Sequence, residues 1–421
     1  MTSTQVAEQV LKGQSNIKDW QEELYKDFHS HPELSFHEER TSTIVAEKLK
    51  EFEFEVHEKV GLTGVVGVLS NGDGPVVLMR ADMDALPVKE ATGLDYVSTE
   101  TFTDENGNTT PVMHACGHDV HVASLLGAAR LLSESQDAWH GTFIALFQPA
   151  EELGTGAQSM VDDGLKDVIP QPTVALSQHV MAKPAGTLST HVGPFLSMGA
   201  SIRVTLFGRG SHGSMPHLSI DPVVLASMVV VRLQTVVSRE IEPGEFAVLT
   251  VGKLTVGSKS NIIDDHAVLE LNIRAYSTAV RDHLIEAIKR ISKAETEASG
   301  SLEEPEFEVI NSYPLTDNDA DTTHTVAEAF VEYFPADAIR EYGRQTASED
   351  FSDIPNALGV PYTYWAVGGT DPEAYARAEA NGTITQDIPG NHSPMFAPVI
   401  QPTLTEATAA IVVASTAWLG R

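Results

Sequence analysis

Three apolar runs in this chain end on acidic or imidazole side chains, and no other feature constrains its fold as much. Val76–Met79 leads into Arg80, Asp82 and Asp84; Gly141–Gln148 leads into Glu151 and Glu152; Val174–Gln178 leads into His179. Short apolar runs bounded by turn residues read as buried strands. Sheets of α/β proteins gather functional side chains just past the carboxyl ends of their strands. The three endings therefore predict one sheet that presents one site.

The rest of the chain fits two bodies. A length of 421 residues exceeds one ordinary core and favours two domains. Helical spacing is legible over 19–49, with a break at His31-Pro32-Glu33, and again over 122–133, 323–334 and 403–418. From 200 onward the pattern changes. Strand 200–207, a helix opened by the Asp221-Pro222 cap, strands 248–256 and 267–276, helix 281–298 and strand 306–310 follow in order. That β-α-β-β-α-β succession is the ferredoxin-like arrangement. The expected fold is α/β: one domain with a mixed sheet flanked by helices (1–195 and 309–421), carrying an inserted ferredoxin-like α+β domain (196–308). Residues 370–390, rich in Gly, Pro, Asp and Asn, read as a loop.

Charge and cysteine count narrow the function. A net charge of −32 argues against nucleic acid, which demands clustered Lys and Arg. The richest apolar run, 223–237, is interrupted by Ser227, Arg232 and Gln234, so no membrane span is expected. Residues 1–20 show no basic patch followed by an apolar run. The single cysteine leaves no internal disulfide. Together these readings point to a cytoplasmic protein.

The chemistry concentrates in Met113-His-Ala-Cys-Gly-His-Asp-Val-His121, which holds the only cysteine. Cys and His are strong ligands for zinc-like ions. Cys116 and His118, two apart, can face one ion from a turn, where Gly117 supplies the freedom; His114 and His121 read as support. After the strand at 141–148, Glu151 and Glu152 point in opposite directions if the strand continues, one toward a metal and its neighbour toward a water. His179 and His392 are candidates to complete the ligand set, and Asp84 to orient a ligand histidine. A nucleophilic Cys/His pair and a metal-storing protein are the rival readings. Gly208-x-Gly210-x-x-Gly213 lacks the helix a dinucleotide motif needs behind it, because Pro216 and Pro222 delay the helix. His37-Glu38-Glu39-Arg40-Thr41 has Thr where a zinc helix needs its second His. The acidic run 317–321 has Thr322 where a calcium loop needs Gly.

Six motifs in order then resemble the M20 metallopeptidase family, and within it the aminoacylase/amidohydrolase branch. They are Arg80–Pro87, Met113–His121, Gln148–Glu152, Gly210–His217, Ser348–Phe351 and Gly390–Pro394. The resemblance implies a zinc-peptidase-like catalytic domain that hydrolyses the amide bond of N-acyl amino acids. It implies Zn²⁺, one ion or two, with Mn²⁺ or Co²⁺ as substitutes. By motif position Cys116, His118, Glu152, His179 and His392 look like metal ligands, Glu151 like the general base and Asp84 like the carboxylate behind a ligand. His212 matches a lid-domain histidine that stabilises an oxyanion, often across a homodimer formed through that domain, and His217 could share that role. Asn261 and Arg274 match the pair that holds the substrate carboxylate, for which an Arg fork is chemically suited. The chain departs from two-zinc members in having Asp82 where they carry His, and in reading Asn261-Ile-Ile-Asp264 where they carry Asn-x-Ile-Pro. A dipeptidase or an N-carbamoyl-amino-acid hydrolase would use the same site.

Overall fold

Four parallel strands explain why the three polar endings meet. The computed structural model describes residues Met1–Gly420. The chain divides into two compact units: Met1–Phe195 with Asp317–Arg344 and the segment from Asp350 onward, and Leu196–Thr316 with Gln345–Glu349.

The first unit is built on a seven-stranded mixed sheet. Its strand order is Glu55–Val60, Gly64–Asn71, Gly141–Gln148, Val76–Asp82, Val174–Pro184, Tyr362–Thr370 and Leu188–Ser189. The four strands from Gly141–Gln148 to Tyr362–Thr370 run parallel, and the outer ones each pair antiparallel with their inner neighbour. Every residue of Gly141–Gln148 is buried, as expected of a central strand covered on both faces. Phe143 and Phe147 are fully buried, each worth roughly 1.5–3 kcal/mol of transfer free energy. Helices Gln14–Ser30, His118–Glu134 and Ile400–Leu419 supply Phe28, Leu125, Leu126, Ala410 and Ile411 to the same core. Parallel alignment brings the ends of Val76–Asp82, Gly141–Gln148 and Val174–Pro184 to one edge of the sheet.

The second unit is a four-stranded antiparallel sheet, ordered Ala247–Val256, His266–Ala275, Met198–Phe207, Glu306–Tyr313. Burial alternates along Met198–Phe207, the mark of a sheet with one covered face. Helices Pro222–Glu240 and Thr278–Ala298 cover it, placing Leu225, Val229, Leu233, Leu284 and Ile288 against Val204, Leu269 and Leu271. This is the ferredoxin-like order. By length and composition alone, Pro222–Glu240 could cross a membrane; here its Leu225-Val229-Leu233 face is buried in this core.

Three sequence readings need adjustment. The second unit continues past 308 to Thr316, because the last strand keeps pairing with Met198–Phe207 up to Tyr313 opposite Gly199. It also takes in Gln345–Glu349. The supposed loop 370–390 holds the helix Pro372–Asn381: Asp371 accepts from the Ala374 N–H at 2.8 Å, and Gly382 ends the helix in the left-handed conformation. Its Asp-Pro start is the same signal that marked helix 222 in the sequence. The structure adds the N-terminal helix Ser3–Leu11, opened by a Thr2/Gln5 capping box, and the hairpin Thr101–Thr103 with Thr109–Pro111.

Candidate active site

Gly117 turns the chain from loop to helix. With φ +88° it stands before helix His118–Glu134, and a Cβ there would lie 2.4 Å from the Val180 side chain. Cys116 therefore sits on the loop and His118 on the first helical position, and both project toward the strand ends. The Cys116 Sγ lies 3.4 Å from His179 Nε2. His118 Nε2 lies 3.9 Å from a carboxylate oxygen of Glu151 and 3.9 Å from one of Glu152. His392 Nε2 is 3.3 Å from Glu152 Oε1. His392 itself adopts φ +69° and is anchored through its N–H to the Ala115 carbonyl at 2.7 Å.

The two glutamates do not alternate off a strand. Ala150, at φ 48° and ψ 42°, breaks the strand into a 3-10 turn, Glu151–Leu153, and both carboxylates approach His118 Nε2. Asp84 stabilises that turn: its Oδ1 accepts from the Glu151 N–H at 3.1 Å and its Oδ2 from the Glu152 N–H at 3.0 Å.

Hydrogen bonds assign the imidazole tautomers. His179 Nδ1 faces the Val180 carbonyl at 2.7 Å, so Nδ1 carries the proton and Nε2 keeps its lone pair toward Cys116. His118 Nδ1 lies 3.2 Å from Asp84 Oδ1, which directs its Nε2 into the cluster, where that buried atom has no hydrogen-bond partner. His121 lies beside them, held by Asp82 and a backbone amide. Its Nε2 accepts from the Val180 N–H at 2.8 Å and its Nδ1 donates to Asp82.

Asp82 is fully buried. Burial opposes its ionisation, yet Arg80, His118 and His121 hold its carboxyl well below the usual range. Arg80, equally buried, donates to Asp82 at 2.7 Å and to Gln148 at 2.9 Å, and lies 3.5 Å from Asp350. Burial lowers His118, but Asp82 and Asp84 outweigh it and raise the ring to about 10. Burial, then the Glu152 and Glu151 carboxylates, push the Cys116 thiol well up. A thiol so placed resists becoming the free thiolate that a nucleophilic cysteine requires.

The remaining expected residues lie in the second unit. His212 and Asn261 are neighbours there: His212 pairs with Ile262, and the Gly213 N–H donates to the Asn261 carbonyl at 2.8 Å. The Ser214 N–H donates to His212 Nδ1 at 3.1 Å, leaving the proton of the neutral ring on Nε2. His217 is exposed on the short turn Pro216–Leu218. Arg274 projects from His266–Ala275, donating to Asn272 at 3.0 Å and to the Ser348 hydroxyl; burial lowers its pKa.

Several contributors went unassigned in the sequence. Arg80 and Gln148 stand inside quoted motifs without a role. Asn391 donates to the Cys116 and Val180 carbonyls, both at 3.1 Å, and so ties the loop of His392 to the strand end. Its place beside His392 was the only signal available.

Comparison with known proteins agrees with this architecture. Residues 78–386 match Peptidase family M20/M25/M40. The chain is 38% identical over 262 residues to the N-acetyl-L-cysteine deacetylase of Bacillus subtilis, covering 62% of this chain and 60% of that protein. It is 37% identical over 336 residues to the hippurate hydrolase of Campylobacter jejuni, covering 78% of this chain and 83% of the relative. Among solved structures, the YXEP protein of Bacillus subtilis, described as a dinuclear metal binding peptidase from the M20 family, superposes with a TM-score of 0.74 at 25% identity, covering 96% and 98% of the two chains.

Proposed function

The chain belongs to peptidase family M20/M25/M40 and is a hydrolase, and we propose that it uses a divalent metal to hydrolyse the amide bond of N-acyl amino acids, releasing a carboxylic acid and a free amino acid. The observation that carries this reading is the convergence of Cys116 Sγ, His118 Nε2 and Glu152 on one point, with the far nitrogen of His118 already pinned by Asp84.

The donor set fits a metal. Ligands about 2.0–2.3 Å from a shared zinc-like ion must lie roughly 3–4 Å from each other. The gaps of 3.4 Å between Cys116 and His179, 3.9 Å between His118 and Glu152, and 3.3 Å between His392 and Glu152 fall in that range. Soft thiolate, imidazole and carboxylate together favour zinc, with Mn²⁺ or Co²⁺ able to substitute. Cys116, His118, Glu152, His179 and His392 would hold one ion or two. When bound, the ion supplies Lewis acidity to the amide carbonyl and acidifies water.

Glu151 does the proton work in this reading. Its carboxylate sits beside the ligand cluster on a turn fixed by Asp84, suited to take a proton from the attacking water and pass it to the leaving nitrogen. His212, with its proton on Nε2, is suited to donate to the developing oxyanion, and His217 to assist. Arg274 and Asn261 would hold the substrate carboxylate. We assign the second unit the roles of lid and homodimer contact, and the protein to the cytoplasm.

The test is a panel of N-acetyl, N-benzoyl and N-carbamoyl amino acids and simple dipeptides, scored by released amine. Glu151→Gln should cut kcat by at least about a thousandfold and leave metal content intact. Normal turnover in that variant overturns the assignment of the base. Preference for a free α-amine or a ureido group moves the reading to a dipeptidase or a carbamoyl hydrolase.

A further inference from the structure

The segment 33–41, which includes the broken zinc motif His37-Glu38-Glu39-Arg40-Thr41, has no part in the chemistry above. In the structure it wraps the turn that carries both glutamates. The Glu33 carboxylate accepts from the Arg40 and Thr41 N–H groups, both at 2.8 Å, and fixes the start of helix Glu39–Glu51. The Ala85 N–H donates to the Glu33 carbonyl at 2.8 Å, and Ser35 donates to Asp84 Oδ2 at 2.6 Å. Glu38 is fully buried, with Oε1 accepting from the Ala150 N–H at 2.8 Å and Oε2 from the Thr63 hydroxyl at 2.6 Å.

Three consecutive amides, those of Ala150, Glu151 and Glu152, thus each donate to a buried carboxylate: Glu38, then the two oxygens of Asp84. Ala150 needs this support most. It is a non-glycine residue in the left-handed region, at φ 48° and ψ 42°, where its Cβ is penalised. A residue held there persists only if its surroundings over-determine it.

From this geometry we infer that Glu38 is a positioning residue: it locks Ala150 in the left-handed conformation and thereby aims Glu151 and Glu152 together at the ligand cluster. The inference rests on the roles given above to Glu151 and Glu152.

The experiment compares Glu38→Ala, Glu38→Gln and the double variant Glu38→Ala/Ala150→Gly. Glu38→Ala should lower kcat at least about tenfold with KM within about threefold, because only the reacting groups are misaimed. Glu38→Gln keeps an oxygen acceptor for the Ala150 amide and should stay within about threefold of wild type. In the double variant glycine removes the left-handed penalty, and about fivefold or more of the lost kcat should return. A second readout is independent of turnover and of metal. In metal-free protein, amide exchange of the peptide spanning 148–153 should accelerate in Glu38→Ala and remain at the wild-type rate in Glu38→Gln. Unchanged exchange and kcat in Glu38→Ala overturn the inference, as does a loss that glycine at 150 fails to relieve. Should Glu38→Ala not fold, the double variant decides: recovered folding and turnover support the inference, and equal failure overturns it. Failure of the amidohydrolase reading would appear instead as an inactive wild type, with the exchange comparison still valid.

Discussion

Replacing Arg80 with methionine should destabilise the first unit by about 3–5 kcal/mol, the cost of breaking a buried ion pair by removing one partner. Arg80, Asp82 and Asp350 are all completely buried. The guanidinium is the cation between the two carboxylates, 2.7 Å from Asp82 and 3.5 Å from Asp350. Methionine fills much of the volume but leaves both carboxylates without it. His121 still donates to Asp82 and His118 Nε2 stays 3.5 Å from it, which keeps the cost from rising further. Against a typical total of about 5–15 kcal/mol, such a loss is about a fifth or more of the stability. Urea unfolding followed by circular dichroism would report it as a lowered midpoint at unchanged slope. The double variant Arg80→Met/Asp82→Asn should recover part of the loss, because one stranded charge is gone, and Arg80→Lys should fall between, since a point charge cannot reproduce the fork. A loss below about 1 kcal/mol, the range of exposed pairs, would refute the argument that this network is energetically buried.

Other outcomes follow from the same geometry. His29 lies between Asp119 at 2.7 Å and Glu90 at 3.1 Å; burial lowers its pKa, but these two carboxylates raise it to about 9. A raised histidine stabilises fully below its unfolded value of about 6.5 and loses that contribution as pH climbs through about 9, so up to about 3 kcal/mol should disappear across that window. The difference in urea midpoint between wild type and His29→Asn, measured from pH 6 to 10, should shrink accordingly; a constant difference would rule it out. Metal uptake must displace protons, since His118 stands at about 10 and the Cys116 thiol is raised in the metal-free protein. Calorimetric zinc titrations in buffers of different ionisation enthalpy should therefore show at least one proton released per ion, and zero release would contradict the ligand assignment. Cys116→Ala should lose bound metal and activity together; retained activity with full metal content would remove Cys116 from the ligand set.

Much of the fold was legible because its signals are local. The strand Gly141–Gln148 and the order of the second unit come from apolar runs and turn residues that adjacent chain chemistry dictates. The residues of the site were legible as types: Cys, His and Glu crowd past strand ends more densely than a solvated surface explains. What could not be read is how they face each other. The sequence offered opposite directions for Glu151 and Glu152, whereas a single left-handed residue, Ala150, turns both toward His118. His121 read as support beside Cys116 and His118, but its two partners, Asp82 and the Val180 N–H, lie far away in the chain and meet it only in the fold.

The sequence by itself therefore determined the architecture and the gathering of Cys, His and Glu side chains past the strand ends, because periodicity and composition are properties of neighbours in the chain. Tertiary structure alone decided the tautomers, the aim of the glutamates and the roles of Arg80, Glu38 and Asn391. Those depend on pairs such as Glu38 with Ala150 and Asn391 with Cys116, which are far apart in the chain and meet only when the sheet is assembled. The energy of a buried hydrogen bond or ion pair is set by that meeting, and no local pattern encodes it.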